Sequence, residues 1–244
     1  FIVSCVTMLV EPLLQVAFLW ILFRNTERVG AWSEAHLLFL YGFSLLPLGI
    51  FDLVSLNLWR FPDRHIIEGR FDSVLLRPVP ALLQVLCEEF RPHALAKIPM
   101  GIWLMASSGA SLGVAWTPVR IAETAVMACA AGAILLSVFL MASSVSFWAE
   151  DRMGIGAPVY NLIRLGQYPV DIYHASLQFV LRWVVPFAFV GFYPAAGLLP
   201  GAGGAGRAVP SPLFWRTLLV AAALVLLSAR VWRAGVRRYA STGS

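Results

Sequence analysis

Four carboxylates interrupt the long apolar runs of this 244-residue sequence: Glu11, Asp52, Glu123 and Asp171. An acid within hydrocarbon is costly, so each is a candidate for ion coupling, substrate contact or a structural ion pair. Glu11, beside Pro12, and Asp52 fall deepest in their runs and are the intramembrane polar candidates; Glu123 and Asp171 fall near run ends, where solvation is cheap. Other chemistries lack their residue sets. His36, His65, His93 and His174 stand alone, without the H-E-x-x-H or paired spacing of a zinc site. Cys5, Cys87 and Cys129 are odd in number and far apart, with no C-x-x-C pair, and are expected to be packing residues. The sequence holds neither a G-x-x-x-x-G-K-[ST] phosphate loop nor a G-x-S-x-G elbow. No enzyme activity, metal or bound cofactor is therefore expected of the chain itself, and any ATP belongs to a partner.

The elements that must position these acids follow from composition. Hydrophobic residues make up 59% of the chain and charged residues 13%, against about 45–50% and about 25% in a soluble domain. With a mean hydropathy of +0.78, the chain is too apolar to cover one water-soluble core with polar groups. It reads as an all-α polytopic membrane protein, because backbone crossing hydrocarbon must satisfy its own hydrogen bonds and the runs are too long and continuous for alternating strands. Six spans are expected in a single transmembrane domain, at about 1–23, 35–58, 94–116, 121–148, 177–199 and 212–231. All basic residues but Lys97 are arginines, and they are scattered between the runs rather than gathered in a stripe with aromatics, so the net charge of +5 does not point to nucleic acid.

With Arg182 inside the fifth run left out, placing both termini in the cytoplasm puts 12 basic residues inside and 5 outside. The positive-inside rule thus favours N-in, C-in. Phe1 is not an initiator methionine, and the expectation is that the first span is truncated. The tract from Pro200 to Gly206 has the composition of a flexible linker. Gly109 and Gly113, and Ala128 with Gly132, have the small-x-x-x-small spacing that lets helices approach closely.

The longest polar stretch, 59–93, falls on the cytoplasmic side. Within it Ile67, Phe71, Val74 and Leu75 recur at helical spacing, with Arg64, Glu68 and Asp72 on another face, which predicts an amphipathic helix over Arg64 to Arg77. Arg77-Pro78-Val79-Pro80 stops it, and a second amphipathic segment sets Leu82, Leu83, Leu86 and Phe90 against Gln84, Glu88 and Glu89. Such helices lie along lipid headgroups or dock on a soluble partner.

The stretch Ile67-Glu-Gly-Arg-Phe-Asp-Ser-Val-Leu-Leu-Arg-Pro-Val-Pro80, followed by Leu82-Leu-Gln-Val-Leu86, resembles permease subunits of bacterial ABC transporters of the type-2 exporter family. Ser146-Phe147-Trp148, Tyr168-Pro-Val-Asp-Ile-Tyr173, Val185-Pro-Phe-Ala-Phe189 and Tyr193-Pro-Ala195 follow in the family's order. The resemblance covers nearly the whole chain. It implies a six-helix permease in the bacterial inner membrane, paired with a second permease, identical or homologous, over two copies of a cytoplasmic P-loop ATPase that binds ATP and Mg. Segment 59–93 would carry the coupling helix, with Arg64, Glu68, Arg70, Asp72 and Arg77 as orienting charges and Ile67, Phe71 and Val74 as buried anchors. A second contact would lie at Asp151 to Arg164. The export route would be lined by the first, second and fifth spans, with Phe43, Phe51 and Trp183 as aromatics available to an amphiphile, the substrate being open among drugs, peptides, lipids and polysaccharides. The alternatives are a stand-alone ion-coupled carrier using Glu11 or Asp52, a passive anchoring subunit, and an intramembrane enzyme for which no nucleophile–base pair is found.

Overall fold

The computed structural model describes residues 2–149, 156–200 and 211–239, and these form helices, with no named strand among the described residues. In chain order the α-helices are α1 (Ile2–Asn25), α2 (Glu34–Asp52), α3 (Ser55–Phe61), α4 (Phe71–Leu75), α5 (Ala81–Leu86), α6 (Lys97–Ser111), α7 (Pro118–Ser144), α8 (Gly156–Gly166), α9 (Ala175–Phe179), α10 (Phe192–Leu198) and α11 (Pro212–Arg238). Thr117 and Ser211 cap α7 and α11 by accepting from the Arg120 and Phe214 amides, each followed by proline at the first helical position.

Helices α1, α2, α7 with its 3-10 extension to Phe147, and α11 are long and apolar enough to cross a bilayer. A fifth candidate is the pair Ala175–Val184 and Phe187–Leu198, bent by 73°. The bend sits at Val185-Pro186, where proline lacks the amide that would continue the ladder and forces Val185 into extended backbone. The third expected span, 94–116, is shorter than its composition suggests. Its α-helix α6 has 15 residues, about 22 Å against about 30 Å of hydrocarbon. Gly113, at φ 71°, ends it: the Val114 amide reaches back to the Gly109 carbonyl at 2.9 Å and the Gly113 amide to Ala110 at 3.3 Å, a Schellman closure. Among the described residues, four helices, or five counting the bent pair, thus stand where six spans are expected.

Helix α2 lies at the centre, packed on α6 and α7, and α7 runs along α11. The α2–α6 crossing is set by glycine. A Cβ on Gly101 would stand 2.6 Å from the Gly42 carbonyl oxygen, and one on Gly42 would stand 2.8 Å from the Leu104 Cβ. This is the close approach that small residues permit in membrane proteins. It falls at Gly42 and Gly101 rather than at the expected Gly109–Gly113 pair, since Gly109 meets only side chains at 3.4 Å and Gly113 is the turn. Of the long helices described, α1 is the loosest, with only Pro12 and Leu19 buried.

The polar stretch 59–93 departs from the expected single helix over Arg64–Arg77. Helix α3 runs into a π-helical turn, Pro62–Ile67, and the chain then reverses at Gly69, at φ 71°, before α4 begins. Only glycine adopts that left-handed backbone without penalty, so the amphipathic pattern is carried by two pieces. The expected linker beyond Pro200 and the residues Asp151 and Arg152 lie outside the described residues.

Candidate functional site

Phe71 is fully buried at an aromatic cluster that joins four parts of the chain. Its ring lies 5.7 Å from Phe61 at the end of α3, 5.4 Å from Phe147 after α7, 6.1 Å from Trp232 of α11 and 5.0 Å from Tyr239 just beyond. Gly235 of α11 leaves the space that the Phe147 ring fills. Edge-to-face geometry of this kind adds about 0.5–1.5 kcal/mol per pair beyond area burial. Phe71 and Val74, expected as anchors for a partner, are thus anchors within the chain, because the apolar face of α4 finds the ends of α7 and α11.

Polar ties fix the rest of this stretch. Asn57 Nδ2 donates to the Leu86 and Glu89 carbonyls at 2.8 Å each, Gln84 Nε2 donates to Val74 and Val79, and Ser143 of α7 donates to the Leu58 carbonyl at 2.7 Å. Arg64 pairs with Glu88 at 3.1 Å, Arg60 with Glu89 at 3.0 Å and Arg70 with Glu68 at 2.9 Å. His65, buried and stacked on Phe61, places Nε2 3.4 Å from Glu88. Arg64, Glu68 and Arg70 therefore have partners inside the chain, and Asp72 faces Tyr239. Beside these charges, apolar side chains also face outward: Ile67, Leu75, Leu76, Val79 and Leu83 are exposed, Leu76 at 87%, with Arg77 beside them.

On the opposite side of α3, a cleft of about 500 Å³ opens where α1, α2, α3 and α8 meet. Glu11, Asp52, Arg91 and Lys97 supply its charge, and Met8, Phe51, Leu56, Trp59, Phe139 and Tyr160 most of its wall. Trp59, Phe139 and Tyr160 stand within 6.1–6.4 Å of one another. A smaller cavity of about 150 Å³ shares Glu11, Lys97 and Tyr160 and reaches Arg164 and Tyr168.

The structure thus brings the two deepest sequence acids, Glu11 and Asp52, to one cleft and gives each a cation. Lys97 Nζ lies 2.7 Å from Asp52 with both side chains buried, and Ser55 also donates to this carboxylate at 3.2 Å. Arg164 Nη2 lies 2.5 Å from Glu11, in a half-exposed pair. Glu123 instead accepts from the Ser211 amide at 3.3 Å, and Asp171 from the Trp32 indole at about 3.0 Å. Phe43 and Phe51 are buried, Phe51 with an edge on the cleft, while Trp183 is exposed on the bent pair. Lys97, Arg91 and Tyr160 are the cleft residues that sequence reasoning missed, and Arg164, expected at a partner contact, instead pairs with Glu11 from the smaller cavity; an acid in an apolar run signals that a cation is needed without saying which.

A family model described as ABC-2 family transporter protein matches residues 9–243 of the chain. No curated protein and no solved structure matches it.

Proposed function

Because the chain belongs to the ABC-2 transporter family, we propose that it is the permease subunit of an exporter whose two ATPase copies and second permease are separate chains. In this reading the chain crosses the bacterial inner membrane six times with both termini inside. The third crossing is completed by the 3-10 turn Pro92–Ala96 before α6, which adds about 10 Å to the helix.

The observation that carries the reading is the aromatic cluster around Phe71, for a subunit with no ATP chemistry of its own must receive motion mechanically. Exposed Ile67, Leu75 and Leu76 would meet the ATPase, with Arg77 as a rim charge. Displacement of α4 would pass through Phe71 to Phe147 and Trp232, and so to α7 and α11, as a packed core shifts in discrete steps rather than yielding. The ion-coupled alternative asks Glu11 or Asp52 to serve as a free proton site, whereas each holds a cation at 2.5–2.7 Å.

The test is to purify tagged protein in mild detergent from its own cells, identify co-purifying chains by mass, and assay vanadate-sensitive ATP hydrolysis. A stoichiometric P-loop ATPase is expected. Leu76→Asp, at a site 87% exposed, should reduce its recovery at least about tenfold, the loss of one apolar anchor, while the permease keeps its own melting temperature. Phe71→Asp would not discriminate, since it buries a charge in the core. Undiminished ATPase recovery and transport in Leu76→Asp would sink the assignment of this docking surface.

A further inference from the structure

The cleft's two acids and two cations cancel in number, but Glu11 turns to a cation outside the cleft wall, Arg164 of the adjoining cavity. Lys97 is taken by Asp52 and Arg164 by Glu11, which leaves Arg91, half-buried on the cleft wall and without an ion pair or side-chain hydrogen bond among the described residues. Its backbone is held in place, the Arg91 amide donating to the Leu53 carbonyl at 3.0 Å, so the fold keeps this arginine at the cleft wall. A cation set against low-dielectric walls raises the local preference for an anion. Those walls are Met8, Phe51, Leu56, Trp59 and Phe139, enough apolar surface to hold a hydrocarbon chain but not a free polar ion alone. Helix α1, which lines one side with Met8 and Glu11, is the least buried long helix among the described residues, so that side of the cleft borders the apolar exterior that α1 presents. An organic cation is the poorer match, because both acids are already engaged.

We propose that this cleft binds an amphiphile with a single anionic head, phosphate or carboxylate, the head on Arg91 and the chain along Trp59, Phe51 and Phe139. The site is independent of the transport reading above: it is defined by the cleft's own charges, and it stands whether the amphiphile is a resident lipid or cargo.

The full chain, in a neutral maltoside detergent, would be titrated with phosphatidylglycerol and phosphatidylcholine of identical acyl chains, with dodecyl phosphate and with inorganic phosphate, bound ligand being counted by native mass spectrometry. Phosphatidylglycerol or dodecyl phosphate should bind at one per chain and about tenfold more tightly than phosphatidylcholine, the value of one charge-assisted hydrogen bond. Retention of the two-chain lipid points to a bilayer source and retention of dodecyl phosphate alone to a free amphiphile; either supports the site. Arg91→Gln should abolish the preference and Arg91→Lys keep part of it, whereas Arg237→Gln, at an exposed arginine in the last turn of α11, should leave it intact. Measurable binding of the two phospholipids with equal affinity, or retention of neither phosphatidylglycerol nor dodecyl phosphate, overturns the proposal without recourse to any variant. So does an unchanged preference in a folded Arg91→Gln protein, or displacement of the amphiphile by an equal concentration of inorganic phosphate, which would leave the apolar wall without a part.

Discussion

His65 shows how a single buried side chain sets a condition on the polar stretch 59–93. Burial holds its imidazole below the ordinary value of 6.5, with Glu88 pulling the other way and Arg64 and Arg70 adding to the depression. Its buried Nδ1 has no hydrogen-bond partner, so a second ring proton would have no acceptor. The unfolded chain therefore binds this proton more readily than the folded one, and the stability contributed by neutral His65 is fully present above 6.5 and lost as pH falls toward the depressed folded value. Thermal melts across a pH series should be flat above neutrality and decline below about 6.5, and His65→Phe should flatten that decline while keeping the stack on Phe61. A decline of equal size in His65→Phe would show that other groups set the pH dependence. Residues of this kind are half legible in a sequence. Asp52 and Glu11 announce themselves as acids in apolar runs, but Lys97 is 45 residues from Asp52 and Arg164 is 153 from Glu11, and no spacing rule spans such distances. His65 gives no signal at all, because its burial is created by Phe61 and Phe71 packing over it.

Among elements, legibility follows whether a feature is local. The apolar runs that become α1, α7 and α11 and the stop at Pro78–Pro80 are local and stand close to where the sequence puts them, whereas the third run yields a helix of only 15 residues and the fifth a bent pair. The amphipathic face of 64–77 is legible too, but not what it faces: an apolar stripe on a cytoplasmic segment suits a partner and the chain's own core equally well, and Phe71 and Val74 take the core. Helix contacts are the least local feature. The glycine pair with x-x-x spacing at Gly109 and Gly113 is not the contact, whereas Gly42 and Gly101, far apart in sequence, touch backbone to backbone. Their substitution separates the two cases. Gly101→Ala would push a methyl against the Gly42 carbonyl at 2.6 Å, where backbone must move, and should lower stability by about 1–3 kcal/mol, the usual cost of overpacking. Gly109→Ala meets Phe39 and Trp116 at 3.4 Å and should be close to neutral or slightly stabilising, since alanine favours a helix by about 0.8–1.0 kcal/mol over glycine. Detergent melts of the two variants side by side check this, and equal losses would remove the α2–α6 crossing as the controlling contact.

The whole molecule turns on which side of the bilayer segment 59–93 occupies, since the ATPase docking surface exists only if it faces the cytoplasm. The arginine asymmetry argues for that side by an energetic bias on insertion rather than by any contact in the fold, which is why the arrangement of helices alone leaves it open. A native thiol reports on it directly. Cys87 is exposed at the end of α5, whereas Cys129 is exposed on the long apolar helix α7 and Cys5 lies in α1. With Cys5 and Cys129 changed to serine, a membrane-impermeant maleimide should label Cys87 in inverted vesicles and leave it unmodified in intact cells. Adding Cys87→Ser and Ala115→Cys moves the one thiol to the exposed turn between α6 and α7, and should reverse the result only if α6 completes a crossing. Two thiols labelled from the same side would mean that α6 enters and returns without crossing, as its 15 residues permit, and the chain would then span five times or fewer with its termini no longer both tied to the ATPase side. Opposite sides would establish that the 3-10 turn Pro92–Ala96 and α6 together bridge the hydrocarbon, and would put Leu76, Arg77 and the Arg91 mouth of the cleft on the side where ATP is hydrolysed.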